Sequence, residues 1–277
     1  MLPEPIHPLV LAYTSVILCI GIGALVYHKL RRHPTYYSES RCVEAWEVST
    51  IHFGLFLWIV MSSVILAQCL ASTIQHRLPS GDIGWQTVLF GFFTHLSLLT
   101  VFLVNHALQT GLNLQNPSPR LLPLTEVVQK ALFHFLKIIP LLYLWGLLLL
   151  FLQNKGTVPA IEIQPLVLII TETSSPWLLA LFGILAVVIA PVTEELLFRG
   201  ALYRFLKGRL TPRSALVVSA LVFSAFHIPT LTYAVPLFLL GLALGHSYET
   251  TGNLHVPILF HAIFNLNTFI IILLQRL

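Results

Sequence analysis

Eight apolar runs, at residues 9–27, 51–73, 85–108, 131–152, 177–206, 214–228, 231–246 and 256–274, alternate with shorter polar stretches along the chain. Most approach the roughly 20 residues that an α-helix needs to cross about 30 Å of hydrocarbon. Lipid offers no partner to an unpaired backbone N–H or C=O, so such runs are expected as helices. The pattern predicts an all-α, polytopic membrane protein with about eight transmembrane helices. One run is too long to be simple: residues 177–208 as a straight helix would extend about 48 Å. Pro191 lacks a backbone donor and collides with the preceding turn, so a break is expected just before Glu194. Two longer connections, 109–130 (with Asn116, Pro117, Ser118 and Pro119) and 153–176, separate the runs. The second divides the chain into an amino-terminal four-helix membrane region (1–152), a connecting loop (153–176) and a four-helix region (177–277) in which ionisable residues gather.

Composition changes the picture little and charge sharpens it. Of 277 residues, 56% are apolar and 9% charged, with a mean hydropathy of +0.85. The net charge of +4 comes mostly from loop lysines and arginines, so it bears on orientation in the bilayer, and no basic nucleic-acid surface is present. With eight spans, one side carries Lys29, Arg31, Arg32, Arg41, Arg120, Lys130, Arg204, Lys207, Arg209 and Arg213, whereas the other carries Arg77, Lys155 and Arg276. Positively charged loops stay cytoplasmic, so both termini are predicted to be non-cytoplasmic, in an integral protein of the plasma membrane. The run at 9–27 has no basic segment ahead of it and no small-residue cleavage pattern after it, and reads as an anchor. Cys19, Cys42 and Cys69 show neither paired spacing nor neighbouring histidines, and read as incidental.

Candidate chemistry sits in the 177–206 run, where Glu194, Glu195 and Arg199 fall within six positions of an apolar segment. Ionisable residues inside a span point to function. Glu195 and Arg199 are four apart, acid before base, the better orientation for an intrahelical pair. Glu194 points about 100° away, so the arginine is expected to neutralise Glu195 and leave Glu194 for other work. The next run holds Phe223 and His227, and the last holds His261 and Asn265, each pair four apart on one helical face. A carboxylate in an apolar setting can act as general base toward water, and an imidazole and a carboxamide can donate to an oxyanion. No G-x-S-x-G or H-E-x-x-H motif occurs; Ser224 lies near His227 but has no nucleophile setting. Taken singly, each pair also has a plain structural reading, as interhelical polar contacts or knitted helix ends.

Together, Glu194-Glu195-x-x-x-Arg199, Phe223-x-x-x-His227 and His261-x-x-x-Asn265 on three spans resemble the CAAX-protease and bacteriocin-processing (CPBP, or Abi) family of intramembrane proteases, over about residues 177–274. The resemblance implies a catalytic four-helix core in the carboxyl-terminal half, with a chamber opening toward the cytoplasm. It implies that Glu194 activates water, that His227 helps to hold the water, and that His261 and Asn265 stabilise the oxyanion. Glu195, Arg199 and Phe223 support them. Expected partners are a peptide or protein substrate at the membrane, prenylated or otherwise, and the bilayer itself. No cofactor is favoured; if a metal is used, it is zinc on Glu194, His227 and His261.

Other classes compete. Buried Glu and His also mark proton-coupled transporters, but the two halves show no repeat correspondence. A non-catalytic scaffold would keep the motifs for binding. A haem or metal bundle built on His52, His95 and His106 is weaker, since their spacing shares no obvious face.

Overall fold

The computed structural model describes residues 7–30, 43–75, 83–111, 122–158, 165–227 and 231–277. Cys42, Arg31, Arg32, Arg41, Arg77, Arg120, residues 116–119 and Pro229 lie outside the described residues. Among the described residues all regular structure is helical: α1 (Pro8–Leu30), α2 (Thr50–Gln75), α3 (Ile83–Gly111), α4 (Leu124–Asn154), α5 (Pro165–Glu172), α6 (Pro176–Lys207), α7 (Pro212–Phe226), α8 (Leu231–Thr251) and α9 (His255–Gln275). Each of the eight predicted runs therefore holds a helix, the 214–228 run as far as Phe226. α5 is an addition, a short apolar helix inside the stretch expected as a loop.

Six of these helices, α1 to α4, α6 and α9, are long and apolar enough to cross a membrane. α7 has 15 residues, about 22 Å of helix, against a hydrocarbon core of about 30 Å. α8 ends on a polar stretch, His246 to Thr251. Large apolar side chains face outward on the long helices, among them Trp58, Leu66, Leu103 and Leu147. The protein is an integral, all-α membrane protein.

Polar caps mark the helix starts. Ser175 accepts from Leu178 N ahead of α6, and Thr211 accepts from Ser214 N ahead of α7, each followed by proline at the first helical position. Between α8 and α9 the chain turns through Gly252 at φ +64°, and Asn253 Oδ1 accepts from His255 N.

Packing centres on α4, which touches α1, α8 and α9. Val127, Ala131, Phe135, Ile138 and Ile139 of α4 share one core with Phe198, Phe223, Leu240, Leu244, Val256 and Phe260. Pro140 cannot donate to the Leu136 carbonyl, and Gly21 of α1 sits there so closely that a Cβ would come 2.7 Å from that oxygen. On the other flank α3 runs alongside α6. Val88 packs with Leu178 and Phe182, Gly91 faces Leu185, and Leu98 and Phe102 join Ala201 and Phe205.

The expected break at Pro191 does not occur. α6 continues through it with two π-helical stretches, Leu185–Ile189 and Leu196–Tyr203, flanking the α-helical Ala190–Glu195. In the first, Ala190 N donates to Leu185 O, five residues back. Continued by one residue, that ladder would pair the nitrogen of Pro191 with Ala186 O, and proline has no hydrogen to give. Asn265 of α9 supplies the donor instead, Nδ2 to Ala186 O at 2.8 Å. The wider π turns accommodate the proline, and a neighbouring side chain satisfies the carbonyl that it leaves unpaired.

Candidate active site

The two glutamates of α6 diverge as their 100° separation requires. Glu195 turns inward and is fully buried, where its Oε1 meets Arg199 Nη1 at 2.7 Å and His261 Nδ1 at 2.9 Å. Arg199 is 1% exposed; its Nη2 donates to Gly241 O at 2.9 Å and its guanidinium lies 4.7 Å from the Phe223 ring centroid. The predicted pairing of Glu195 with Arg199 is present, and His261 joins it as a third member. A buried charge needs such multiple partners, because desolvation costs several kcal/mol per ion.

Gly241 makes room for this arrangement. A Cβ there would stand 3.1 Å from both Cα and Cβ of Ala220 on α7. Gly241→Val is expected to push α7 from α8, draw the carbonyl away from Arg199 and cost about 1–3 kcal/mol. Thermal unfolding in detergent checks this; an unchanged midpoint would contradict the close seat.

Glu194 faces two imidazoles. Its Oε2 lies 3.3 Å from His227 Nε2 and 3.9 Å from His261 Nε2, with 17% of the side chain exposed. His227 is the residue just past the end of α7, not a member of the helix as its spacing suggested. Its Nδ1 donates to Phe223 O at 2.8 Å, capping one of the last unpaired carbonyls of its own helix. The ring also packs 4.5 Å from that of Phe223, centroid to centroid. In both histidines Nδ1 is held by an acceptor and Nε2 is turned to Glu194, so each ring is oriented by a partner other than Glu194.

Of the sequence-derived residues, Glu194, His227 and His261 converge, and Glu195, Arg199 and Phe223 lie behind them. Asn265 is one turn beyond His261, with its amide on Ala186 O. Ser224 donates to Ala234 O at 2.7 Å, away from the glutamates. His52 bonds Ser49 at the start of α2 and His106 is exposed on α3. Among the described residues no group of three His, Cys, Asp or Glu side chains is disposed to hold a metal ion.

His95 of α3, which the sequence offered only as a member of a weak haem or metal bundle, lies beside the site. Its Nδ1 lies 2.6 Å from the hydroxyl of Thr193, the neighbour of Glu194. An isolated histidine in an apolar run, 98 positions away, carries no local signal of such a contact.

Residues 176–267 match the family model described as "Rce1-like: Type II CAAX prenyl endopeptidase Rce1-like". No curated protein and no solved structure matches the chain.

Proposed function

We propose, for a chain whose carboxyl-terminal region belongs to the CAAX-protease (CPBP) family, that the protein is an intramembrane endopeptidase using a glutamate-activated water. The observation that carries this reading is the meeting of Glu194 Oε2 with the Nε2 atoms of His227 and His261, from separate helices, inside the family-matching segment.

Glu194 takes a proton from a water held against His227 while the water oxygen bonds to the carbonyl carbon of the scissile peptide. The carbonyl electron pair moves to oxygen. His261 donates to that oxyanion from Nε2, its ring held in place by the contact of Nδ1 with Glu195 Oε1 at 2.9 Å. Asn265 carries a second N–H on Nδ2 beside the one given to Ala186 O, and donates it to the same oxyanion. Collapse breaks the C–N bond as Glu194 returns the proton to the leaving nitrogen, giving a carboxylic acid, which then ionises to solvent, and an amine. No step requires a metal.

The substrate is a membrane-associated peptide, with prenylated carboxyl-terminal sequences as the first candidates by family. The excess of lysine and arginine on one set of loops supports a chamber open to the cytoplasm and termini on the opposite side. Purified protein in lipid is expected to cleave a farnesylated Cys-aliphatic-aliphatic-X peptide, or members of a peptide library, with new termini identified by mass spectrometry. Folded protein that cleaves none of these peptides would overturn the proposal in favour of a scaffold.

A further inference from the structure

We propose that His95 is a positioning residue of the proteolytic site, holding through Thr193 the turn of α6 that presents Glu194; this rests on the endopeptidase reading above. Residues 88, 91, 95, 98 and 102 recur every three or four positions along α3 and form the stripe laid against α6. Four are Val88, Gly91, Leu98 and Phe102, and the fifth, at the centre, is histidine. A polar ring in an apolar seam is costly unless it is partnered, and the partner is Thr193 Oγ1 at 2.6 Å.

The direction of that bond follows from proton counting. Thr193 is 1% exposed and its hydroxyl has one proton, directed to Ile189 O and Ala190 O at 3.2 and 3.1 Å. Its lone pair therefore accepts from His95 Nδ1–H, which leaves Nε2 as the acceptor of the neutral ring. This gives His95 the arrangement of His227 and His261, with Nδ1 tethered to a protein oxygen.

Thr193 stands between two π-helical stretches, where the ladder is irregular and the orientation of Glu194 is not set by helix geometry alone. The close approach of Gly91 to Leu185, one turn earlier on α3, brings the helices near enough for the histidine to reach. The amino-terminal half of the chain thereby takes part in a site whose family-matching segment begins at residue 176.

The test compares His95→Leu, His95→Asn, Thr193→Val and the double variant His95→Leu/Thr193→Val with the unmodified protein and Glu194→Gln in the peptide-cleavage assay. His95→Leu and Thr193→Val are expected to lower kcat about 10- to 100-fold with KM little changed, the signature of a misplaced reacting group. The double variant should lose no more than the worse single one. His95→Asn, whose amide can replace Nδ1–H, should recover most of the rate. Full kcat in His95→Leu, no recovery in His95→Asn, or losses that multiply in the double variant would each overturn the role. Should His95→Leu not fold, Thr193→Val and His95→Asn pose the same question. Unmodified protein without any peptidase activity would sink the endopeptidase reading, and this role with it. Glu194-dependent activity indifferent to all His95 variants would sink the role alone.

Discussion

Arg199→Ala is expected to destabilise the protein by about 3–5 kcal/mol, the cost of stranding one member of a buried ion pair. The side chains of Arg199 and Glu195 are 1% and 0% exposed, so neither charge recovers water when the other is removed. Three losses coincide in this variant: the 2.7 Å contact with Glu195, the bond to Gly241 O and the stacking on Phe223. His261 remains beside Glu195 and leaves the stranded carboxylate one polar partner. Replacing the pair together, as Glu195→Leu/Arg199→Met, should be less damaging to folding than Arg199→Ala, because no lone charge is left behind. Denaturant or thermal unfolding in detergent measures both. A stability change below about 0.5 kcal/mol in Arg199→Ala, the range of ordinary surface substitutions, would mean that the buried triad is not formed.

Glu194→Gln has the opposite signature. The substitution keeps shape and volume, and its amide can still meet His227, so folding should be preserved. It removes the carboxylate proposed to take a proton from water. Peptide cleavage should fall about 10³-fold, within the span that a positioned general base supplies. The contrast between the two adjacent glutamates is itself diagnostic. Substitution at Glu195 is expected to lower stability and activity together, whereas substitution at Glu194 should lower activity alone.

The helices were legible because hydropathy and length report burial in lipid directly, and each of the eight apolar runs holds a helix. The different surroundings of Glu194 and Glu195 were legible because i,i+4 spacing and the 100° step are properties of one helix. Contacts between helices were not. The bond of Asn265 to Ala186 depends on a π turn that Pro191 provokes, and proline alone does not reveal whether a helix will break or widen. The seat of Arg199 on Gly241 needs the spacing of α7 and α8, which the identity of a glycine does not supply. His227 reads as a helix residue by spacing, yet the chain leaves the helix there, and the ring is held by the last turn. His95 had no motif at all. Its contact with Thr193 depends on α3 lying along α6, a tertiary fact that no periodicity of α3 encodes.

The account rests on Glu194 as the group that activates water, so the most direct measurement is parallel peptide cleavage by unmodified and Glu194→Gln protein, purified and reconstituted together, with unfolding midpoints recorded for both. The predicted result is cleavage by the unmodified protein, a loss of about 10³-fold in the variant and matching unfolding midpoints. Undiminished cleavage by folded Glu194→Gln protein would contradict it.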